Sequence, residues 1–230
     1  MDPLGEEYYG WSGYNYVMDS PVRLVDPDGR VVVIPTTTKG SHRRKIMRNL
    51  RRLTDDKLTY NKITGKVEIK KTRSRNKPQG TTLIRNLIAD THITTISVGV
   101  KGSGNSANAV NWTDAQNGTG SDATVSFDLT SNPSILSENS KTGKVSRKKR
   151  PKQIGLGHEL IHADHINNGD VDLTPTIYTY KDETGTLVTQ MVRSEELRTV
   201  GLKGVKAGDV TENDLRKEQR RTRKKKRVAY

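Results

Sequence analysis

The sequence predicts an α+β domain, because helical and strand patterns both occur after residue 80. Apolar side chains recur at helical spacing from Leu83 to Ile88, which predicts a short amphipathic helix over residues 80–90. Two strand patterns follow: a β-branched run at 93–100, and alternating apolar and polar residues at 123–129. We expect a small antiparallel sheet that packs on a further helix, at residues 153–165.

Composition limits the classes of protein to which this chain can belong. Its 230 residues carry a net charge of +14, and only 31% are apolar and 5% aromatic, which is low for a fully packed domain. No stretch approaches the ~18 apolar residues of a membrane span, and the N-terminus lacks the basic-then-apolar build of a Sec signal. Cysteine is absent, which excludes disulfides, thiol catalysis and Cys-ligated zinc. Any metal site must therefore use His and carboxylates.

Three segments differ in character. Residues 1–29 are rich in Tyr and turns, and contain two Asp-Pro-x-Gly sequences that begin at Asp2 and Asp26. Residues 30–79 are polar and basic, and we expect a flexible linker or pro-region with at most a hairpin. Residues 80–230 carry the periodic patterns and are predicted to form the main folded domain. Their last basic run, at 216–227, favours a solvated helix and tail, or attraction to an acidic partner such as nucleic acid.

The first segment resembles the C-terminal end of the Rhs/YD-repeat core. The resemblance rests on the paired Asp-Pro-x-Gly boxes and on the Tyr9-x-Trp11-Ser12-x-Tyr14 stretch between them. In that family this end closes a β-shell, and a variable toxin domain follows it. The resemblance implies that Asp2 and Asp26 occupy the places of the aspartates used for self-cleavage, and that a carrier shell is a partner.

The most informative motif is His158-Glu159-x-x-His162. On a helix, two His four residues apart lie on one face, close enough to share a metal ion. Glu159 lies a step around the helix, where it can take a proton from water at an open coordination position. The motif therefore predicts a hydrolytic metal site with Glu159 as the base.

The third ligand has to come from another element. His165 lies on the same helix face, about 10 Å along the axis from His158, so the three His cannot surround one ion. Residues 194–201 are predicted to form a short helix whose first turn carries Glu195 and Glu196. Either acid can face the His pair across a groove.

Together, these motifs resemble the gluzincin arrangement, and more narrowly the type III effector metallopeptidases of the NleD kind. The match covers roughly residues 80–230 and includes the Glu195-Glu196-x-x-Thr199 sequence. It implies a zincin-like fold and one Zn²⁺ bound by His158, His162 and Glu196, with Glu195 as the alternative. It also implies a secreted toxin or effector, delivered into a target cell to cut a protein there, with an immunity protein as a partner.

Further site residues are left open by the sequence. An oxyanion donor is expected, and the candidates are His165, Tyr178, Tyr180 and Tyr230. The strand at 123–129 is a candidate for binding an extended substrate by strand addition. Two other functions compete: an Rhs-associated nuclease toxin, which the positive charge favours, and a non-catalytic basic binding module with a structural zinc.

Overall fold

A six-stranded mixed sheet forms the centre of the computed structural model, which describes residues 31–230. Its strand order is β2-β3-β1-β4-β6-β5, and the strands are β1 (Val32–Val33), β2 (Lys57–Tyr60), β3 (Lys66–Lys71), β4 (Thr94–Val98), β5 (Ser106–Ala109) and β6 (Ala123–Phe127). Strand β4 runs parallel to β1 and β6, and the other pairs are antiparallel. The prediction of mixed helix and sheet is confirmed. The prediction of a small antiparallel sheet is wrong, because the central sheet is larger and partly parallel.

Five α-helices lie within the described residues: α1 (Gly40–Leu53), α2 (Pro78–Ala89), α3 (Lys152–Asn168), α4 (Ser194–Val200) and α5 (Glu212–Glu218). Helix α2 confirms the helix predicted at 80–90, and α3 carries the His-Glu-x-x-His motif. Helix α3 is buried along most of its length and contacts α1, α2, α5, β5 and β6. It ends at Gly169, whose φ of +72° is the left-handed conformation that glycine adopts without strain. No helix within residues 31–230 is long and apolar enough to cross a membrane.

The prediction of a flexible linker at 30–79 is wrong for residues 31–79. These residues belong to one compact unit, Val31–Tyr230, so the folded domain begins near residue 31 rather than 80. Helix α1 buries Ile46, Leu50 and Leu53 in the core, and its end packs so closely on α2 that a Cβ on Gly80 would lie 2.1 Å from the Leu53 carbonyl oxygen. The apolar positions of α1 repeat every three or four residues, but intervening arginines and lysines conceal the pattern.

The C-terminal basic run also packs, contrary to the expected solvated tail. Thr211 caps α5, and its Oγ1 accepts a hydrogen bond from the Asp214 amide at 3.2 Å. Beyond α5, β11 (Lys225–Arg227) pairs antiparallel with β7 (Ser134–Asn139), which in turn pairs with β8 (Val145–Lys149). Arg216 is 1% exposed because its guanidinium donates to Glu212, Ser137 and the Lys225 carbonyl. Hydrogen bonds to other elements therefore bury a basic side chain that the sequence predicts to be exposed to solvent.

Two further strands form a hairpin that leads into α4. Strands β9 (Pro175–Lys181) and β10 (Leu187–Arg193) pair antiparallel, and one face of the hairpin exposes Ile177, Leu187 and Met191. The strand expected to receive substrate, at 123–129, corresponds to β6 and is paired on both sides, with β4 and β5. It therefore offers no free edge, and the expectation for that strand is wrong. The edge beside α3 belongs to β5. The predictions for residues 1–29, including Asp2 and Asp26, lie outside the described residues.

Candidate metal centre

Helix α3 can bring its two His side chains to the site because it approaches its neighbours closely. Gly157 precedes His158, and a Cβ at this position would lie 2.6 Å from Leu215 Cδ1 of α5. Only a residue without a side chain lets α3 and α5 come this near. Both His158 and His162 are then buried, at 2% and 9% exposure, on the face of α3 that meets α4 and α5.

Three donor atoms of the predicted ligands converge on one point. His158 Nε2 lies 3.3 Å from His162 Nε2, and Glu196 Oε2 lies 3.5 Å and 3.1 Å from these two atoms respectively. Zinc–nitrogen and zinc–oxygen bonds are about 2.0–2.1 Å, so the donors of a tetrahedral zinc site are about 3.3 Å apart. The three distances therefore fit three corners of a zinc tetrahedron. Among the described residues, these three form the only group of this kind.

Glu195, the alternative third ligand, contacts the other ring nitrogen of His162. Its Oε1 lies 2.8 Å from His162 Nδ1 and 2.7 Å from His165 Nδ1, and it accepts a hydrogen bond from Thr199 Oγ1 at 3.1 Å. An imidazole that binds metal through Nε2 commonly donates its Nδ1 hydrogen to a carboxylate, which fixes the ring. This geometry favours Glu196 as the ligand and Glu195 as the group that orients His162. His165 and Thr199 in turn hold Glu195.

Sequence reasoning missed a second buried acid, Glu212. This side chain is 0% exposed, and its Oε2 lies 3.1 Å from His158 Nδ1 and 2.7 Å from the Arg227 guanidinium. Each candidate ligand His thus has a carboxylate oxygen within 3.1 Å of its Nδ1 atom, and the contact of His162 also has hydrogen-bond geometry, whereas that of His158 does not. In the sequence, Glu212 lies in a Glu212-Asn213-x-Leu215-Arg216 stretch that belongs to the effector resemblance, but its spacing from the His pair assigns it no role.

Buried acids concentrate negative charge around the two imidazoles. Burial alone would lower the pKa of His162, but its hydrogen bonds with Glu195 and Glu196 raise that pKa to about 10. Burial is also outweighed at Glu195, where hydrogen bonds from His162 and His165 hold the pKa at about 2. It is outweighed again at Glu196, where hydrogen bonds from His158 and His162 lower the pKa. The surrounding carboxylates therefore stabilise positive charge at this point. A site with this charge favours a bound cation.

A cavity of about 250 Å³ opens beside the convergent donors. Its lining includes Glu159, Glu196, Arg193 and Tyr230, together with the first residues of the β5 edge. Glu159 is 6% exposed, so the predicted base lies buried at the cavity wall beside the predicted ligands. The cavity provides room for a substrate next to the donor triangle.

Of the candidate oxyanion donors, the structure brings Tyr230 to the site. Its ring stacks on His158 with centroids 6.0 Å apart, and the Arg227 guanidinium lies 4.9 Å from the ring centre. Burial and the charge of Glu196 raise the pKa of Tyr230, so its hydroxyl keeps its proton and can donate. Tyr178 instead donates to the Val228 carbonyl at 3.3 Å and stacks on Tyr180, and neither ring lines the cavity.

This centre is typical of metal-dependent hydrolases: it has a candidate metal site of two His and one Glu, and a further carboxylate, Glu159, at an open cavity. A sequence model of the peptidase family M91, whose members are described as effector proteins, matches residues 53–227. The chain belongs to this family.

The solved structures that match include light chains of botulinum neurotoxins. The Clostridium botulinum serotype F light chain aligns with 79% of this chain and 50% of its own, at 14% identity and a TM-score of 0.42. The serotype HA light chain aligns with 96% of this chain and 56% of its own, at 15% identity and a TM-score of 0.41. The type C light chain, in a zinc-removed form, aligns with 63% and 32%, at 15% identity and a TM-score of 0.32. This chain thus spans between a third and a little over half of each light chain. No curated protein matches the sequence.

Proposed function

We propose that this protein is a zinc-dependent endopeptidase that acts as a delivered effector and cuts a protein inside a target cell. The observation that carries the proposal is the donor triangle of His158, His162 and Glu196, whose edges of 3.1–3.5 Å fit one zinc ion. Membership of an effector peptidase family supports the same conclusion.

Each residue of the centre has a role in this proposal. His158 and His162 hold the ion through Nε2 and Glu196 through a carboxylate oxygen, whereas Glu195 and Glu212 orient the two imidazoles. When bound, zinc supplies a Lewis acid and an activated water. Glu159 takes a proton from the attacking water and passes it to the leaving amine. Tyr230 donates a hydrogen bond to the oxyanion that develops on the peptide carbonyl.

In this proposal an extended substrate lies along β5. This strand is the edge of the central sheet, and residues 105–108 line the cavity together with Glu159. A peptide that adds to this edge by backbone hydrogen bonds would place its carbonyls beside the donor triangle. In this proposal β5, and not β6, binds the extended substrate by strand addition.

The wider setting of the proposal comes from the sequence resemblances. The Rhs-like residues 1–29 favour delivery as part of a carrier shell by a specialised secretion route, and possession of such a toxin implies an immunity protein. The positive charge keeps nucleic acid as a rival substrate, and the same experiment addresses it.

A comparison of Glu159→Gln with the wild-type chain tests the proposal, with Glu138→Gln on β7 as the matched control. Metal content is measured by atomic emission, protein cleavage by mass spectrometry of new N-termini in cell lysates, and nuclease activity on plasmid DNA. We expect zinc in all three proteins, and new N-termini from the wild type and the control only. DNA cleavage that survives Glu159→Gln would favour the nuclease. Bound zinc without any cleavage would favour the binding module.

A further inference from the structure

A second cavity, larger than the one beside the donor triangle, lies between α5 and the start of β11. It has a volume of about 400 Å³ and is formed by α5, the connection from α4, and residues 222–226. Ligand sites for small molecules usually have volumes of about 300–1,000 Å³. Five of its lining residues are basic and only Asp214 is acidic. The metal centre and its catalytic residues do not line this cavity.

The basic residues of this cavity fall into two groups. Arg216 is paired with Glu212 at 3.3 Å, and Lys217 with Asp214 at 2.8 Å, so these two charges are neutralised. Within residues 31–230, Arg223, Lys225 and Lys226 form no ion pair, although all three line the cavity. Cations without an ion-pair partner at one concave surface repel one another, and an anion between them would relieve that repulsion.

We propose that this cavity binds a small polyphosphorylated molecule. Linked phosphates carry several negative charges in a volume that suits the cavity, and Lys and Arg are the side chains that bind phosphate most strongly in proteins. Ser140 also lies in this lining, whereas the hydroxyl of Thr222 donates to the Arg216 carbonyl at 2.8 Å. A single phosphate would neutralise these three cations less completely than a chain of two or three.

Binding at this cavity would also stabilise the strand that supports the metal centre. Lys225 and Lys226 are the first two residues of β11, and the third is Arg227, which pairs with Glu212 at 2.7 Å behind His158. Tyr230 follows three residues later and stacks on the same His. A polyphosphate that fixes the start of β11 thus also reduces the freedom of Arg227. The binding itself does not depend on the proposed peptidase activity.

Calorimetric titration of the full-length chain tests the inference. The probes are inorganic tripolyphosphate, ATP and a short single-stranded DNA at about 0.15 M salt, where weak surface attraction is screened. We compare the Arg223→Gln/Lys225→Gln variant with Lys148→Gln/Lys149→Gln, which removes the same charge from the exposed strand β8. The cavity variant should bind tripolyphosphate at least ~10-fold more weakly, and the β8 variant within about twofold of wild type. ATP that binds as tightly as tripolyphosphate identifies the phosphate chain as the group recognised, as the proposal expects.

Three results would overturn the proposal. Equal losses in the two variants would mean non-specific attraction, and no binding of wild type to any phosphate probe would remove the site. DNA bound more tightly than tripolyphosphate, with the same sensitivity to the cavity variant, would identify a polynucleotide surface. If the double variant fails to fold, two measurements take its place: titration of the single variant Lys226→Gln, at an exposed position, and hydrogen exchange in the wild-type chain. Tripolyphosphate should then slow amide exchange in residues 222–227 but not in β8.

Discussion

The substitution Glu195→Gln tests which of the two neighbouring acids binds the metal and which one orients His162. In the structure Glu195 Oε1 lies against Nδ1 of His162 and of His165, and it is not among the three donors that converge. Glutamine keeps the size and one oxygen acceptor but removes the charge. Hydrogen bonds to charged groups contribute about 1.5–3 kcal/mol, and only one of the two imidazoles is a proposed ligand. We therefore expect a loss of zinc affinity of about 10–100-fold, which is the usual effect of losing such a partner.

The assay is competition for zinc against a chromophoric chelator at pH 7.5, with Glu196→Gln and Glu138→Gln measured in parallel. Glu196→Gln removes a direct ligand and should cost more affinity than Glu195→Gln, whereas Glu138→Gln should leave affinity unchanged. A larger loss for Glu195→Gln than for Glu196→Gln would mean that Glu195 is the ligand and Glu196 is not. No loss for Glu195→Gln relative to the control would refute the orienting role.

Three further predictions concern catalysis and stability. Tyr230→Phe keeps the ring that stacks on His158 but removes the hydroxyl, so kcat should fall by about 10²-fold with zinc affinity unchanged; weakened zinc binding instead would indicate a structural role. Arg198 is 4% exposed and binds Asp170 and Asp209, so Arg198→Met should lower the free energy of unfolding in urea by about 3–5 kcal/mol at pH 7. Burial raises the pKa of both aspartates, but hydrogen bonds from Arg198 outweigh this effect and lower each pKa. The stabilisation is therefore present above their unfolded pKa of about 3.9 and is lost as the pH falls below it. The variant should lose less stability than wild type between pH 7 and pH 3, and parallel losses would contradict this. Gly80→Ala places a Cβ 2.1 Å from a backbone oxygen at the end of α1, so the thermal midpoint should fall, and an unchanged midpoint would contradict the close packing of α1 on α2.

The chemistry of the site could be predicted because it depends on local spacing. Two His separated by three residues on one helix lie on the same face whatever the rest of the fold, so the sequence was enough to pair His158 with His162. The choice between Glu195 and Glu196 needed the structure. The two acids are neighbours on a short helix, and the packing of α4 on α3 decides which one reaches Nε2 and which one reaches Nδ1.

The missed features depend on long-range contacts or on weak local signals. Glu212 is buried against His158 by the packing of α5 on α3, and no pattern near Glu212 encodes that contact. Strand β5 has the sequence Ser-Ala-Asn-Ala, which has little strand propensity, and pairing with β6 fixes its conformation. Helix α1 was read as linker because its apolar face is narrow and five of its fourteen residues are arginine. In each case tertiary packing outweighed local preference.

Anomalous scattering at the zinc absorption edge, from crystals of the wild-type chain, tests the central claim most directly. We predict one strong peak about 2.0–2.2 Å from Nε2 of His158, Nε2 of His162 and a carboxylate oxygen of Glu196, with Glu159 outside bonding distance. A peak bound by His165 or Glu195, a site closed by a fourth protein ligand, or no peak at these residues would contradict the account.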